Sequence, residues 1–433
     1  MYLPPNVHVC IEALEKEGFS CYAVGGCVRD ALLGLIPHDY DLCTAAKPET
    51  IAQIFAGHTL VRSGEKHGTI GVVIDGAVYE ITTYRTEGDY TDGRHPGWVE
   101  FVDDITLDLS RRDFTVNAMA YSPTRGYADP FGGRQDLKDG VLRCVGEAEK
   151  RFSEDALRIL RGVRFAVRYN LEVEKDTKNA MFRLAPLMEN LARERVFDEL
   201  CKLLPLVNAE DLPAFAPVLT QVIPELAPLM GFDQKNPHHQ YDIFTHTAQV
   251  VAGTPADLAV RWAALLHDIG KPGCFSQDEQ GIGHFYGHAK LGAQIADSIL
   301  LRLKAPTALR QRVVMLIEQH MTPLEPDKKL LRRRLSKLGS EAVHGLPALQ
   351  RSDMGAKPAD DSRFSQIQLL LQEIEAENAC LSIRDLAVSG HDLMNLGYRG
   401  PAIGQALQFL LEQVLDERVE NEKEALLKAL HQQ

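Results

Sequence analysis

Several features are missing from this sequence of 433 residues, and each absence excludes a class of protein. Its eight cysteines include no Cys-x-x-Cys pair, which excludes a zinc ribbon or a dense disulfide framework and favours a reducing compartment. No apolar run approaches the ~18 residues that a membrane-spanning helix needs, and the N-terminus has no cationic segment before an apolar one. We therefore expect a cytoplasmic protein that does not bind membranes.

An excess of positive charge is also missing. Lys and Arg number 47 against 60 Asp and Glu, so the formal net charge is −13. This balance argues against a protein that coats DNA or anionic lipid, and no DNA partner is expected. Any nucleic-acid site must therefore be a local basic surface on an acidic body. Apolar residues make up 45% and charged residues 25%, which is typical of a chain that folds throughout.

The length and the order of patterns predict several domains. Up to about residue 140, a helical pattern is followed by short β-branched runs between Gly, Asp and Pro clusters, which indicates an α/β domain. From residue 148 onward nearly all periodic segments are helical. We predict four units, namely an α/β head (1–140), an all-α neck (141–235), a further helical unit (236–355) and a helical tail (356–433), with a polar linker at 355–363.

A Gly-Gly turn followed by two aspartates is the most informative stretch of the head. The turn lies in GGCVRD at 25–30, a helical pattern follows, and the aspartates lie in HDYDL at 38–42. Glycines at the start of a helix let backbone N–H groups approach a phosphate, and Arg29 adds a forked donor. Asp39 and Asp41, two apart on a predicted strand, share a face that suits Mg²⁺ beside a nucleoside triphosphate. Each motif alone is usually structural, but together they indicate a nucleotidyltransferase.

Motifs in this order resemble those of the class II tRNA nucleotidyltransferases, or CCA-adding enzymes, which are similar to bacterial poly(A) polymerases. The matching segments are GGCVRDALLG (25–34) with HDYDL (38–42), GEKHGTIGV (64–72), EITTYR (80–85), RRDFTVNAMAY (111–121) and EDALRILRGVRFA (154–166). The resemblance implies an α/β head of the DNA polymerase beta type followed by all-α regions. It also implies tRNA as the partner, CTP and ATP as substrates, and Mg²⁺ as the cofactor of the head.

The resemblance assigns roles to residues by position. Asp39 and Asp41 would be the catalytic carboxylates that bind the metal, with Glu80 as a further acidic candidate. The implied nucleotide-binding residues are Gly25, Gly26 and Arg29 in the turn, Arg111, Arg112, Asp113 and Asn117 in the RRD motif, and Asp155, Arg158, Arg161 and Arg164 in the EDxxRxxR pattern. In the RRD motif, the Asp would contact ribose hydroxyls and the arginines the triphosphate.

Base selection would depend on Asp155 and Arg158 in the same resemblance. Arg donates to cytosine O2 and N3 or to adenine N1, while Asp accepts from the exocyclic amine. Uracil and guanine present an N–H donor where Arg needs an acceptor, so a buried donor would be left unmatched. Both residues lie in segment 150–168, whose six basic and two acidic residues form the local basic surface that an RNA partner requires.

Simpler structural roles stay open for part of this set. Asp113 would pair with an adjacent Arg, and Asn117 would be a local hydrogen-bonding residue. Ser153 suits a helix N-cap, which predicts Asp155 in the first turn and Arg158 one turn later as an ordinary surface ion pair.

A second metal site is indicated farther along the chain. His267 and Asp268 follow an apolar run and precede Gly-Lys, which resembles the HD phosphohydrolase superfamily and makes 236–355 the predicted HD unit. The implied ligands are His246, His267, Asp268 and Asp353, with His288 and His320 either completing a second metal position or only lining helices. Such ligands suit Ni²⁺, Mn²⁺, Fe²⁺ or Mg²⁺, which can activate water against a phosphoester. An accessory activity on cyclic or terminal phosphates is the resulting hypothesis.

Rival functions fit parts of the same pattern. An enzyme that adds only CC or only A would share the motifs, although segment 86–97 favours full CCA addition if it is the family's flexible loop and not an idle surface loop. A poly(A) polymerase would have a basic-aromatic stretch where this chain has GEKHGTIGV. A different class makes the HD unit a nucleotide hydrolase with a regulatory head, and another is an RNA-binding protein without catalysis. The oligomeric state is not predicted.

Overall fold

The computed structural model describes residues 1–88, 98–235, 241–355, 358–377 and 379–431. Most of the predicted loop at 86–97 and the start of the unit predicted at 236 lie outside the described residues. Among the described helices, none has the length and hydropathy that crossing a bilayer requires.

The described residues form helices α1–α21 and strands β1–β13. The helices are, in order, Pro5–Lys16, Gly26–Leu32, Pro48–Ile54, Ile105–Ser110, Gly133–Asp139, Ala148–Glu154, Leu157–Tyr169, Lys175–Leu184, Arg193–Leu203, Asp211–Ala214, Ala216–Val222, Ile243–Gly253, Leu258–Leu266, His288–Arg302, Thr307–Gln319, Lys328–Leu338, Ser340–Asp353, Pro358–Ala376, Gly390–Asn395, Pro401–Leu415 and Lys423–Leu430. The strands are Cys21–Val24, Leu42–Thr44, Thr59–Val61, Thr69–Ile74, Ala77–Thr83, Arg85–Glu87, Val99–Phe101, Ala120–Ser122, Gly126–Ala128, Val141–Leu142, Glu172–Val173, Ser276–Gln277 and Gly283–His284.

The chain divides into two compact units, Met1–Leu203 with Phe215–Pro224 and Leu204–Ala214 with Glu225–Gln433. The first unit contains a seven-stranded sheet in the order β3-β4-β5-β2-β1-β8-β9. Strands β2 and β5 run parallel, and the other neighbours run antiparallel. The β-branched runs in the sequence become the hairpin β4-β5, whose Asp75-Gly76 turn has positive φ at both residues. The predicted α/β head is confirmed.

The aspartate pair lies next to this sheet and not within it. Strand β2 begins at Leu42, so the prediction that Asp39 and Asp41 belong to a strand is wrong. The physical reason is that β1 ends at Val24, where Gly25 turns into α2, so the residues before Asp41 have no strand partner. The carbonyl of Asp41 still accepts a hydrogen bond from Val24 N–H at 3.0 Å, which fixes the end of the loop against β1.

Two helices meet near residue 155, whereas the sequence predicts a single helix that starts at Ser153. Ser153 is not an N-cap, because it lies inside α6, and Asp155 ends that helix in an extended conformation. Helix α7 then begins at Leu157 and packs against α6 and α9. Its apolar side chains, together with those of Phe114 and Phe152, form a buried core beneath the RRD motif.

The described residues of the second unit are helical apart from the short hairpin β12-β13, which confirms the prediction that the remainder is all-α in character. Helix α13 lies at its centre, packs against α12, α15 and α17, and carries the fully buried Trp262. The interpretation of 355–363 as a polar linker is wrong for 358–363, because these residues begin α18, which packs against α16 and α17. Helices α19–α21 enclose a separate apolar cluster around Leu393, Leu410 and Leu426.

Replacing Gly133 with Ala is expected to destabilise the head. Gly133 begins α5, which packs on residues 115–117, and a Cβ there would overlap the carbonyl group of Thr115. The backbone must then shift, at a cost of about 1–3 kcal/mol. The matched variant G57A adds a Cβ that meets no atom within 4 Å, so its effect should stay within about 0.5 kcal/mol. Urea unfolding measured by circular dichroism compares the two, and equal stabilities would contradict this close contact.

Candidate functional site

One cavity of about 460 Å³ in the first unit brings the predicted nucleotide-binding residues together. It is lined by Gly25, Gly26, Arg29, Asp41, Arg111, Arg112, Asp113, Asn117, Asp155, Leu157, Arg158, Arg161, Arg164, Phe165 and Arg195. Asp39 and Glu80 are not among these lining residues. Arg195, Leu157 and Phe165 do line the cavity, although the sequence motifs predict no role for them.

The glycine turn opens the cavity at the end of β1. Gly25 has φ +72°, a conformation that favours glycine, and its N–H donates to the carbonyl of Met119 at 3.0 Å. A Cβ on Gly25 would lie only 2.8 Å from Arg112 Nη1. The missing side chain therefore lets the Arg112 guanidinium approach the turn closely.

Arg29 is held in one orientation from several sides. It is only 5% exposed, and its Nε donates to Asp30 Oδ1 at 2.9 Å while another guanidinium nitrogen donates to Asn117. Its guanidinium carbon lies 4.3 Å from the Tyr169 ring centroid and 5.2 Å from that of Phe165. Two aromatic rings on α7 thus position an arginine of the glycine turn by cation–π contact.

Asp113 lies at the buried centre of the RRD motif. Arg161 donates to its Oδ2 from Nε at 2.9 Å and from Nη2 at 2.8 Å, and Asn117 donates to its Oδ1 at 3.0 Å. Burial acts to raise the pKa of Asp113, but Arg161 and these hydrogen bonds outweigh it and lower the pKa to about 2. The suggested pairing with an adjacent Arg is wrong, since the partner comes from α7.

Two further arginines share one buried acid. Arg111 donates to Asp108 Oδ1 at 2.9 Å and to Glu87 Oε1 at 2.8 Å. Arg112 Nη2 lies 3.5 Å from Asp108 Oδ2. The side chain of Asp108 is fully buried, so it anchors both arginines at the edge of the cavity.

Asp155 and Arg158 lie together at the break between α6 and α7, where Arg158 N–H donates to the Asp155 carbonyl at 3.0 Å and the two side chains have other partners. Asp155 accepts from Leu157 N–H at 3.0 Å and from Arg195 Nη2 at 2.7 Å. Arg158 donates to Glu154 Oε2 at 2.8 Å and to the carbonyl of Arg111 at 3.2 Å. The surface ion pair expected between them is therefore wrong, because each has a partner that the helix break brings closer.

The three candidate carboxylates lie just before strand β2 and on the neighbouring strand β5. Strand β2 pairs in parallel with β5 through Leu42 and Ile81, which places Asp41 beside Glu80. Partial removal from water raises the pKa of Asp41, and the charges of Glu80 and Asp39 raise it further, against the effect of Arg112. Carboxylate oxygens are the ligands that a hard divalent cation prefers.

A polar cluster in the second unit gathers the predicted HD residues at the ends of helices. Within the part of the chain that the structure describes, groups of three candidate ligands within 4.8 Å are His246 with His267 and Asp268, and Asp268 with His288 and His320. Asp353, the last residue of α17, lies 3.0 Å from His246 Nε2 and 3.5 Å from His267 Nε2 through its Oδ1.

The histidine rings of this cluster are oriented by backbone carbonyls. The Nδ1 atoms of His267, His288 and His320 lie 2.8, 2.8 and 2.6 Å from the carbonyl oxygens three residues earlier. These contacts leave the Nε2 atoms to the cluster, where His288 Nε2 lies 3.3 Å from His320 Nε2. His267 Nε2 is fully buried and lies 3.2 Å from Asp268 Oδ2 and 3.5 Å from Asp353 Oδ1. This donor set fits a divalent transition metal.

The pKa values of two histidines in the cluster shift in opposite directions. Burial alone would lower the pKa of His267, but the carboxylates of Asp268 and Asp353 raise it to about 10. Burial and the neighbouring His267 lower the pKa of His320 to about 4. Lys271, which the motif analysis gave no role, lies 2.7 Å from Asp268 Oδ2 and donates to Gln234 Oε1 at 3.0 Å.

The chain matches three family models. The model of the poly(A) polymerase head domain matches residues 21–143, that of tRNA nucleotidyltransferase domain 2 matches 274–430, and that of an RNA- and SrmB-binding site of polymerase A matches 170–211.

Relatives that match nearly the whole chain are described as CCA-adding enzymes. The chain is 32% identical to the CCA-adding enzyme of Geobacillus kaustophilus (strain HTA426), over 96% of this chain and 94% of that protein. It is 33% identical to the CCA-adding enzyme of Levilactobacillus brevis, over 97% and 96%. Among solved structures, the CCA-adding enzyme of Bacillus stearothermophilus in complex with CTP matches with a TM-score of 0.76 and 29% identity over 99% of both chains.

The Asp113 carboxylate should contribute stability that depends on pH. Its pKa of about 2 lies below the ~3.9 of an unfolded chain, so the contribution is complete above pH ~4 and is lost as the pH falls towards 2. We expect D113N to lower the free energy of unfolding by about 2 kcal/mol at pH 7, and by progressively less below pH 4. Urea unfolding at several pH values measures this difference. The exposed control D139N should show little effect, and a D113N effect that is constant from pH 7 to 3 would contradict the assignment.

Proposed function

Because this chain belongs to the family of CCA-adding enzymes, we propose that it extends the 3′ end of tRNA with C, C and A, using CTP and ATP and releasing pyrophosphate. The observation that supports the proposal is the cavity of about 460 Å³ in the first unit. It unites the glycine turn, the carboxylate of Asp41 and the segment with Asp155 and Arg158. Nucleotide addition without a template strand needs phosphate-binding and base-reading groups at one site.

The triphosphate would bind where the glycine turn meets arginine. Gly25 and Gly26 leave their backbone open to a phosphate, and the gap at Gly25 lets Arg112 reach the same place. Arg29 is already fixed by its aromatic and amide contacts, so little side-chain entropy is lost when it binds an oxygen. These groups offset the charge on the transferring phosphate.

The carboxylates would hold a divalent cation, most suitably Mg²⁺, at Asp39 and Asp41 with Glu80 beside them. When bound, such an ion supplies Lewis-acid stabilisation of the phosphate and of the attacking hydroxyl. In the reaction, the terminal hydroxyl of tRNA loses its proton and bonds to the α-phosphorus, while the bond from that phosphorus to pyrophosphate breaks. The hydrogen bond from Val24 to the Asp41 carbonyl keeps this edge of the site in register with the turn.

The base would be read by Arg158 and Asp155. Both residues line the cavity, and each is held by a partner, Arg158 by Glu154 and Asp155 by Leu157 N–H. A base with a donor opposite the Arg leaves a buried donor unpaired, at a cost of about 1–3 kcal/mol, or roughly 5- to 150-fold in selectivity. Cytosine and adenine avoid this cost, and uracil and guanine do not.

Nucleotide addition should fail when either aspartate is removed. We expect D39A and D41A to lower the rate of C addition by about a thousandfold or more, because several kcal/mol of charge stabilisation are lost. The control D103A removes an exposed carboxylate outside the cavity and should keep the parent rate. The assay uses tRNAs that lack CCA, lack only A, or are complete, with CTP, ATP or both, and reads the 3′ ends.

The same assay separates the rival functions. Addition of only CC or only A would restrict the proposal to a partial activity. Long A tails on complete tRNA would contradict it in favour of a poly(A) polymerase. Full activity in D39A and D41A would show that these carboxylates are not the metal ligands.

The cluster in the second unit supports a second candidate activity, the hydrolysis of phosphoesters. His246, His267, Asp268 and Asp353 would hold a divalent ion such as Ni²⁺, Mn²⁺, Fe²⁺ or Mg²⁺, and His288 and His320 with Asp268 a second one. When bound, such an ion supplies an activated water. In hydrolysis of a cyclic phosphate, the water oxygen bonds to phosphorus, one bond from phosphorus to a sugar oxygen breaks, and a water proton ends on the released hydroxyl.

The double variant H267A/D268A tests this activity. We expect it to lose bound metal after dialysis against Ni²⁺ or Mn²⁺, and to hydrolyse 2′,3′-cyclic AMP at least about a hundredfold more slowly. The control H344A removes a histidine outside the cluster, which pairs with Glu375, and should keep both properties. Metal content by mass spectrometry and hydrolysis by phosphorus NMR measure the two effects. Parent-level hydrolysis in H267A/D268A would exclude the cluster as its site.

A further inference from the structure

A second cavity, of about 660 Å³, lies against the cluster of the second unit. Its lining includes Asp268, His288 and Asp353 from the cluster at one end. Tyr286 also lines it, on the segment that leads from β13 into α14. The cavity therefore joins candidate metal ligands to an aromatic side chain.

Tyr286 is displayed to solvent and is not part of the core. It is 79% exposed, and its ring stacks on that of His284 with centroids 5.4 Å apart and an angle of 11° between the planes. His284 is itself held, because its Nε2 lies 2.9 Å from Asp278 Oδ2. The Tyr286 ring therefore stacks on a histidine that Asp278 holds in place. Exposed aromatic faces of this kind are surfaces on which nucleobases stack.

Positive charge lies in the same cavity. Lys271 is buried beside Asp268, and Lys290 is exposed in the first turn of α14. Both line the cavity together with Tyr286. Tyr286 and His288 are two residues apart, so their backbones are separated by at most about 7 Å, which is within the span of one nucleoside.

We propose that Tyr286 is a specificity-determining residue of this cavity, on which the base of a nucleoside phosphate stacks while its phosphate is directed towards the cluster. The proposal rests on the second activity proposed above and adds the residue that recognises the base. A phosphoester that carries no base would lack the stacking contact. Tyr286 is then a specificity-determining residue, because it distinguishes nucleoside phosphates from other phosphoesters.

Two substrates that differ only in the base-bearing part test this role. We expect Y286A to lower kcat/KM for 2′,3′-cyclic AMP by about 5- to 100-fold, the range expected for one lost stacking contact. Hydrolysis of glycerol 1,2-cyclic phosphate, which has no base, should be unchanged. Y286F keeps the ring and should stay within about twofold of the parent for both substrates. Y2A removes an equally exposed tyrosine, 77% against 79%, and should change neither rate.

A binding measurement without metal keeps this proposal separate from the proposed hydrolysis. In EDTA, saturation-transfer NMR should show adenine proton signals of adenosine 3′-phosphate that weaken in Y286A but not in Y286F or Y2A. Equal signals in all variants, or equal loss of both hydrolysis rates in Y286A, would overturn the base-binding role. If the parent chain hydrolyses neither substrate, the proposed hydrolase fails, and the binding comparison still decides the base site.

The source of the nucleoside is decided by one further substrate. A four-nucleotide RNA that ends in a 2′,3′-cyclic phosphate offers the same terminal base and phosphate as the free cyclic nucleotide. A higher kcat/KM for this RNA, with the same loss in Y286A, assigns the cavity to RNA ends. A higher value for the mononucleotide assigns it to free nucleotides.

Discussion

The cost of keeping arginine away from water is the constraint on which the head depends. A cavity for polyphosphate needs several guanidinium groups, and each buried charge without a counter-charge would cost several kcal/mol. Around this cavity the cost is met pairwise, and the pairs are Arg158 with Glu154, Arg161 with Asp113, Arg164 with Glu199, and Arg195 with Asp155. The acids therefore fix where each guanidinium points. Several acidic side chains of the chain are therefore paired with arginines around the cavity. For this reason the net charge of −13 does not describe the charge of the cavity.

Local chemistry explains which parts of the site could be predicted from the sequence. The glycine turn depends on a backbone conformation that only certain residues adopt, and Gly25 has the positive φ that its position in the motif suggests. The β-branched runs likewise form strands where alternation predicts them. The start of β2 was misplaced because strand pairing depends on where its neighbour ends, and β1 ends at Val24. The first residue of such a strand depends on contacts with the neighbouring strand, so the sequence of the strand alone does not predict it.

Contacts between distant segments explain what the sequence could not predict. Arg195 belongs to no motif, and its role beside Asp155 depends on how α9 packs on α7, 40 residues away. Tyr169 could have been noticed one helical turn after Phe165, yet only the fold shows that both rings face Arg29. Ser153 looked like a cap because its residue type favours that position, but α6 continues past it. In the second unit, the histidines are spaced without a period because they lie at the ends of separate helices.

The junction at Val24 has a consequence for how this head tolerates change. The glycine turn begins immediately after Val24, and the loop with the aspartates is tied to the N–H of the same residue. The glycine turn and the aspartate loop therefore share one anchor on β1, inside the seven-stranded sheet. A change in the outer strands β3 or β9 would leave this anchor in place, whereas a one-residue slip at β1 would displace both segments at once. The backbone of this head should therefore tolerate least change at the peptide of Val24.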